Sequence, residues 1–147
     1  MTIESVGEIR EEDKEVYRNL IGRAYEHNLA AEEKSELKTG QVKVVVGPGM
    51  AEVAPYLGEE GLRAQKAAGG KEWELGMVGQ AALMQEDPRL VVIGLNHAGL
   101  LGLQLPASVG DQRAVGERRI RLAAVAGHEF EHARHLRVIE EELPWRH

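Results

Sequence analysis

The run VKVVV at residues 42–46 decides which class of fold this chain adopts. It is almost entirely valine, and Gly40 and the turn sequence GPG at residues 47–49 bound it, so it is predicted to be a strand. A second apolar run, RLVVIGL at residues 89–95, follows Asp87-Pro88 and is predicted to be another strand. Two short strands in the middle of the chain indicate a small sheet that helices on either side must cover.

The flanking segments have helical patterns. The first forty residues are predicted to be helical, with acidic residues near the start and an apolar stripe of Val16, Leu20, Ala24 and Leu29. Residues 51–68 are predicted to form one short helix, residues 71–87 are mixed, and residues 99–105 form either a third strand or an apolar loop. A final helical region, capped by Ser108, is predicted to run to about Leu143 with a bend or break at Gly116.

This order of elements predicts an α+β fold formed by a single domain over residues 1–147. We expect a small, mostly antiparallel sheet packed with the N-terminal helix and with a long C-terminal helix. The length of 147 residues, without repeats or a flexible linker, agrees with one domain. Because only 4% of the residues are aromatic, the core must be mainly aliphatic.

Composition excludes several classes of function. The chain has no cysteine, which excludes disulfides, thiol catalysis and cysteine-ligated metals, so a transition metal must be held by histidine and carboxylate. The net charge of −6 argues against nucleic-acid binding, which needs a basic surface. No secretory or membrane-spanning segment is visible, and we expect a cytoplasmic protein without a membrane partner.

Four of the six histidines lie in the last twenty residues, and two of them form the motif H-E-x-x-H as His128-Glu129-Phe130-Glu131-His132. Residues four apart on a helix lie one above the other, so His128 and His132 are predicted to share one metal ion. Neutral imidazoles suit Zn²⁺, and Glu129 can act as a general base toward water that the metal activates. Two histidine ligands and an adjacent glutamate base are typical of enzymes that hydrolyse bonds with a metal-activated water.

The segment resembles the active-site helix of zincin metallopeptidases, in particular small bacterial and phage-type peptidases with H-E-[FL]-x-H-A. The resemblance covers about a dozen residues. It implies His128 and His132 as zinc ligands, Glu129 as the general base, and a protein or peptide substrate. It also implies that the strand at residues 89–95 is the sheet edge along which an extended substrate binds.

The third ligand remains open at the level of sequence. His147 is a candidate because Pro144 breaks the helix and can turn the tail back, as in SprT-like proteases. His97 and an upstream carboxylate are other candidates. His135 lies on the same helix face as His128, but about 10.5 Å away along the axis, which is too far for both to share one tetrahedral ion.

A helical wheel adds a further option, because Glu131 lies on the histidine stripe and would make a His-Glu-His ligand set. A ferritin-like di-metal site does not fit, since the central strands exclude four long helices. An alternative of a different class is a noncatalytic phage or bacterial regulatory protein that docks a partner through its terminal helix. The glycines at 47 and 49 do not indicate a dinucleotide site, since Glu52 occupies the place of the third glycine.

Overall fold

The computed structural model of the protein describes residues 1–58, 79–83, 90–97 and 112–142. In chain order, the strands and helices are β1 (Thr2–Ser5), α1 (Glu11–Asn28), α2 (Ala31–Glu36), β2 (Val42–Gly47), α3 (Met50–Val53), β3 (Gly79–Leu83), β4 (Val91–Asn96) and α4 (Gln112–Glu142). Short 3-10 turns at Thr39–Gln41 and Ala54–Leu57 precede β2 and follow α3. The predicted α+β class is confirmed.

The four strands form one mixed sheet in the order β1-β2-β4-β3. Strands β1, β2 and β4 are parallel, and β3 pairs with β4 in the antiparallel direction. The expectation of a mostly antiparallel sheet was therefore wrong. The reason lies in the burial of β2 and β4, because strands covered on both faces have continuous apolar runs, which are typical of parallel strands inside a sheet.

The two faces of the sheet pack against different helices. Residues that alternate along β2 and β4, such as Val44 and Ile93, join α1 and α4 in the larger core. Their neighbours Val45 and Val92 face the other way and pack with α3 and the turn after it. The apolar runs at 42–46 and 90–95 are thus explained by contact with helices on both sides.

One prediction about the first half of the chain was wrong, and two others are only partly covered by the described residues. The first forty residues are not all helical, since residues 2–5 form the edge strand β1, whose sequence TIES is too short and polar to indicate a strand. The predicted helix at residues 51–68 is described only to residue 58, where α3 is a single turn. Within the mixed region at 71–87, strand β3 occupies residues 79–83.

The terminal helix α4 runs continuously from Gln112 to Glu142, so the chain does not break at Gly116. The proposed cap Ser108 and the segment 99–105 lie outside the described residues. In the part of the chain that the structure describes, no helix combines the length and the apolarity needed to cross a bilayer.

We predict that Gly94→Ala destabilises the fold by about 1–3 kcal/mol. A β-carbon at Gly94, in the middle of β4, would collide with Val53 and lie 3.2 Å from a methyl group of Leu57. Gly22→Ala is the matched control, because nothing lies within 4 Å of a β-carbon there and helix α1 should gain about 0.5–1 kcal/mol. Urea unfolding of both variants measures the difference, and equal stabilities would contradict the packing of α3 on β4.

Candidate metal centre

The apolar stripe of α4 sets the rotation of the helix about its own axis. Leu122, Ala126, Phe130 and Ala133 are all buried in the larger core, as the helical wheel predicts. Phe130 packs edge-on against Tyr25 of α1, with ring centroids 5.5 Å apart. With this stripe turned inward, His128, His132 and His135 are exposed on the outer face.

His128 and His132 approach each other one turn apart on that face. Their Nε2 atoms are 2.9 Å apart and the two rings are nearly perpendicular. Two nitrogens bound to one tetrahedral Zn²⁺ ion are about 3.3 Å apart, given Zn–N bonds of about 2.0–2.1 Å. The observed separation is about 0.4 Å shorter than this value, so the two nitrogens are close enough together to bind one ion.

Glu129 lies beside this pair but is buried, with only 6% of its surface exposed. Its Oε2 atom is buried and has no hydrogen-bond partner among the described residues. Burial raises the pKa of the Glu129 carboxyl, and the nearby His128 opposes part of that rise. An unpartnered buried carboxylate oxygen is costly to the folded state, which is typical of a group kept for chemistry.

A pocket of about 400 Å³ opens between α4 and the edge strand β3. Its lining residues are Gly79, Gln80 and Ala81 from β3, and Glu129, His132, His135 and Leu136 from α4. A β-carbon at Gly79 would lie 3.1 Å from Cγ of Glu129 and 3.2 Å from a methyl group of Leu95. Glycine at this position therefore allows the strand to approach the glutamate closely.

The edge strand beside the pocket is not the one that the sequence predicted. The strand at residues 89–95 corresponds to β4, which lies inside the sheet between β2 and β3. The edge is β3, a five-residue segment of the sequence GQAAL that carries no β-branched or aromatic residue. Its only advance signal was Gly79, which marks a close approach of backbone to a side chain.

Of the alternative ligands, Glu131 is engaged elsewhere. Its carboxylate accepts a hydrogen bond of 3.0 Å from Arg134, which also pairs with Glu33 and Glu36 of α2. These ion pairs attach α2 to α4 and occupy the carboxylate of Glu131. Among the described residues, Glu131 does not gather with His128 and His132 into a group that could hold a metal.

His97 is buried at the end of β4 and belongs to a different cluster. Its Nδ1 atom is 2.8 Å from the hydroxyl of Tyr17, and its Nε2 atom is 3.6 Å from the carboxylate of Asp13. Because the carboxylate favours a proton on Nε2, the Tyr17 hydroxyl donates to Nδ1. Burial also raises the pKa of Tyr17, which keeps that hydroxyl protonated. His97 therefore has a structural role in holding β4 to α1.

His128 and His132 fit two of the three protein ligands that a catalytic Zn²⁺ site needs. The two exposed imidazoles supply two nitrogen donors of the kind that Zn²⁺ accepts, next to the buried and unpartnered carboxylate oxygen of Glu129. In the ranges that the structure describes, no group of three histidine or carboxylate side chains is close enough to hold a metal. His147 lies outside those ranges, so its predicted role as third ligand stays a prediction.

Comparisons with protein-family models, with curated proteins and with solved structures found no match to this chain.

We predict that His97 makes the protein less stable in mild acid. Burial lowers the pKa of His97, so the unfolded chain binds a proton at its ordinary pKa of about 6.5 before the folded chain does. The free energy of unfolding should therefore fall as the pH drops below about 6.5, by up to about 1.4 kcal/mol per pH unit until the lowered pKa is reached. His97→Gln should reduce this slope.

Urea unfolding between neutral and mildly acidic pH measures the slope. His27→Gln serves as the matched control, because His27 is an exposed histidine near the end of α1. An unchanged slope in His97→Gln would show that the cluster with Tyr17 and Asp13 does not exclude the proton.

Proposed function

We propose that this protein is a zinc-dependent peptidase that hydrolyses peptide bonds of a protein or peptide substrate. The observation that carries the proposal is the pair of exposed Nε2 atoms of His128 and His132, 2.9 Å apart, beside the buried and unpartnered carboxylate of Glu129. Each of these groups has a part in hydrolysis by activated water. The motif resembles the active-site helix of zincin metallopeptidases, and the geometry around it supports that reading.

His128 and His132 would hold the ion, and His147 is the proposed third ligand. Zn²⁺ bound there would act as a Lewis acid that activates water and polarises the carbonyl of the substrate. The fourth position of a catalytic zinc site stays open for this purpose. The engagement of Glu131 with Arg134 and of His97 with Tyr17 supports a ligand from elsewhere in the chain.

Glu129 is the proposed general base. It takes a proton from the attacking water and then delivers a proton to the nitrogen of the leaving amine. Burial raises the pKa of its carboxyl, which brings the base closer to neutral pH, where proton transfer in both directions is efficient.

The substrate is proposed to bind along the outer edge of β3. This strand borders the pocket and pairs with β4 on one side, and its residues Gly79, Gln80 and Ala81 line the space next to Glu129. An extended peptide can add to such an edge through main-chain hydrogen bonds. The apolar stripe of α4 is buried in the core, and the histidines of this helix are exposed to a partner or substrate.

We predict that the purified protein binds about one equivalent of zinc and that His128→Ala and His132→Ala each abolish binding, since each removes a direct ligand. Zinc should also raise the melting temperature of the wild type, because it binds the folded state. Metal analysis after dialysis and thermal unfolding with and without zinc measure both effects. His27→Ala is the matched control and should retain the metal.

The same panel tests the third ligand. His147→Ala should weaken zinc binding, whereas His97→Ala should leave the bound zinc unchanged in protein that remains folded. Full zinc content in His128→Ala would contradict the proposed site. Full zinc content in His147→Ala would show that His147 is not a ligand, and the proposal would then keep only His128 and His132.

We predict that Glu129→Gln retains zinc and loses hydrolysis of fluorescein-labelled casein by roughly 10²–10⁴-fold, since the amide cannot accept the proton. Release of labelled peptides by the zinc-loaded protein measures the rate. Glu15→Gln, an exposed glutamate on α1 that pairs with Arg18, is the control and should keep the wild-type rate. Equal rates in the wild type and Glu129→Gln would remove Glu129 from the mechanism.

A further inference from the structure

His135 lines the same pocket as Glu129 and His132. It is too far from His128 along the helix for both residues to bind one ion. It lies three residues after His132, about 4.5 Å further along the axis of α4, and seven residues after His128. Its side chain is exposed, and it borders the pocket together with Leu136 and strand β3. This position suits contact with a bound ligand beyond the metal.

Arg134 determines which nitrogen of His135 carries the proton. The Nη2 atom of Arg134 is 3.2 Å from Nε2 of His135. Because a guanidinium only donates hydrogen bonds, Nε2 must be the acceptor, and in the neutral ring the proton is on Nδ1. The imidazole therefore offers an N–H donor at Nδ1.

The guanidinium that sets this tautomer is itself held in place. Arg134 is bound by the carboxylates of Glu33, Glu36 and Glu131, at distances of 2.9 to 3.3 Å, and its side chain is 18% exposed. The guanidinium donates hydrogen bonds to Glu36 and Glu131 and forms an ion pair with Glu33, and these contacts favour one orientation of the arginine. The donor at Nδ1 of His135 is thus preorganised before a ligand arrives.

We propose that His135 is a substrate-binding residue whose Nδ1–H donates a hydrogen bond to a backbone carbonyl of a peptide lying along β3. The role rests on the proposed peptidase function, since the pocket must accept a peptide. The rest of the pocket agrees with such a ligand, because Leu136 supplies apolar surface and the strand supplies an edge. The substrate class is a peptide chain with a backbone carbonyl that reaches His135. His135 lies about one helical turn along α4 from His132, the proposed zinc ligand.

The experiment uses the full chain with Glu129→Gln as the parent, so that bound peptides are not cleaved. A pool of short random peptides with blocked termini is incubated with the parent in added zinc chloride, and the retained peptides are quantified by mass spectrometry. His135→Ala in this parent should bind the peptides roughly tenfold more weakly, as expected for loss of one hydrogen bond. His135→Asn should restore binding, since its side-chain N–H lies where Nδ1–H was.

Zinc content is measured in all three proteins and should not differ. Equal peptide retention by the parent and His135→Ala, or no retention by the parent, would overturn the role of His135. Loss of zinc in His135→Ala would also overturn it, because His135 would then be a metal ligand. If the wild type retains the peptides in a His135-dependent manner but cleaves none, the peptidase function fails and the binding role of His135 stands.

Discussion

The rotation of α4 about its own axis is the constraint on which the rest of the site depends. Phe130 and the small and aliphatic residues in register with it are buried against α1 and the sheet, with Phe130 only 1% exposed. Turning the helix by one residue would expose this stripe and bury charged side chains, at a cost of several kcal/mol. The core therefore decides that His128 and His132 face outward and that Glu129 lies at the boundary with β3.

The rotation of α4 places the carboxylate of Glu129 in a buried position, which lowers the stability of the folded state. A carboxylate with a buried, unpartnered oxygen is unfavourable, and its raised pKa expresses the same penalty. Arg134 on the same helix also has a buried Nε atom without a hydrogen bond, but its charge is balanced by the carboxylates of Glu33, Glu36 and Glu131. The lack of a hydrogen-bond partner for Glu129 Oε2 among the described residues supports the proposal that Glu129 is kept for a reaction, whereas the ion pairs of Arg134 attach α2 to α4.

Much of the architecture could be predicted because it depends on local pattern. The strands β2 and β4 have continuous valine-rich runs between turn residues, and the stripe of α4 repeats at helical spacing, so both were identified from sequence. Strands β1 and β3 were missed, because TIES and GQAAL are short edge segments that carry little propensity of their own. Their pairing depends on strands that are distant in the chain. Whether neighbouring strands run parallel or antiparallel depends on the same distant contacts.

By itself, the sequence determined the α+β class, the absence of cysteine ligands and the placement of His128 and His132 one above the other, because composition and helical periodicity are local properties. Only the tertiary structure decided that β3 rather than β4 borders the site, that Glu129 is buried, and that Arg134 engages Glu131. It also showed that His97 is hydrogen-bonded to Tyr17, eighty residues away, whereas His135 lines the pocket beside Glu129 and His132. These outcomes depend on contacts between distant segments, and no spacing along the chain encodes them.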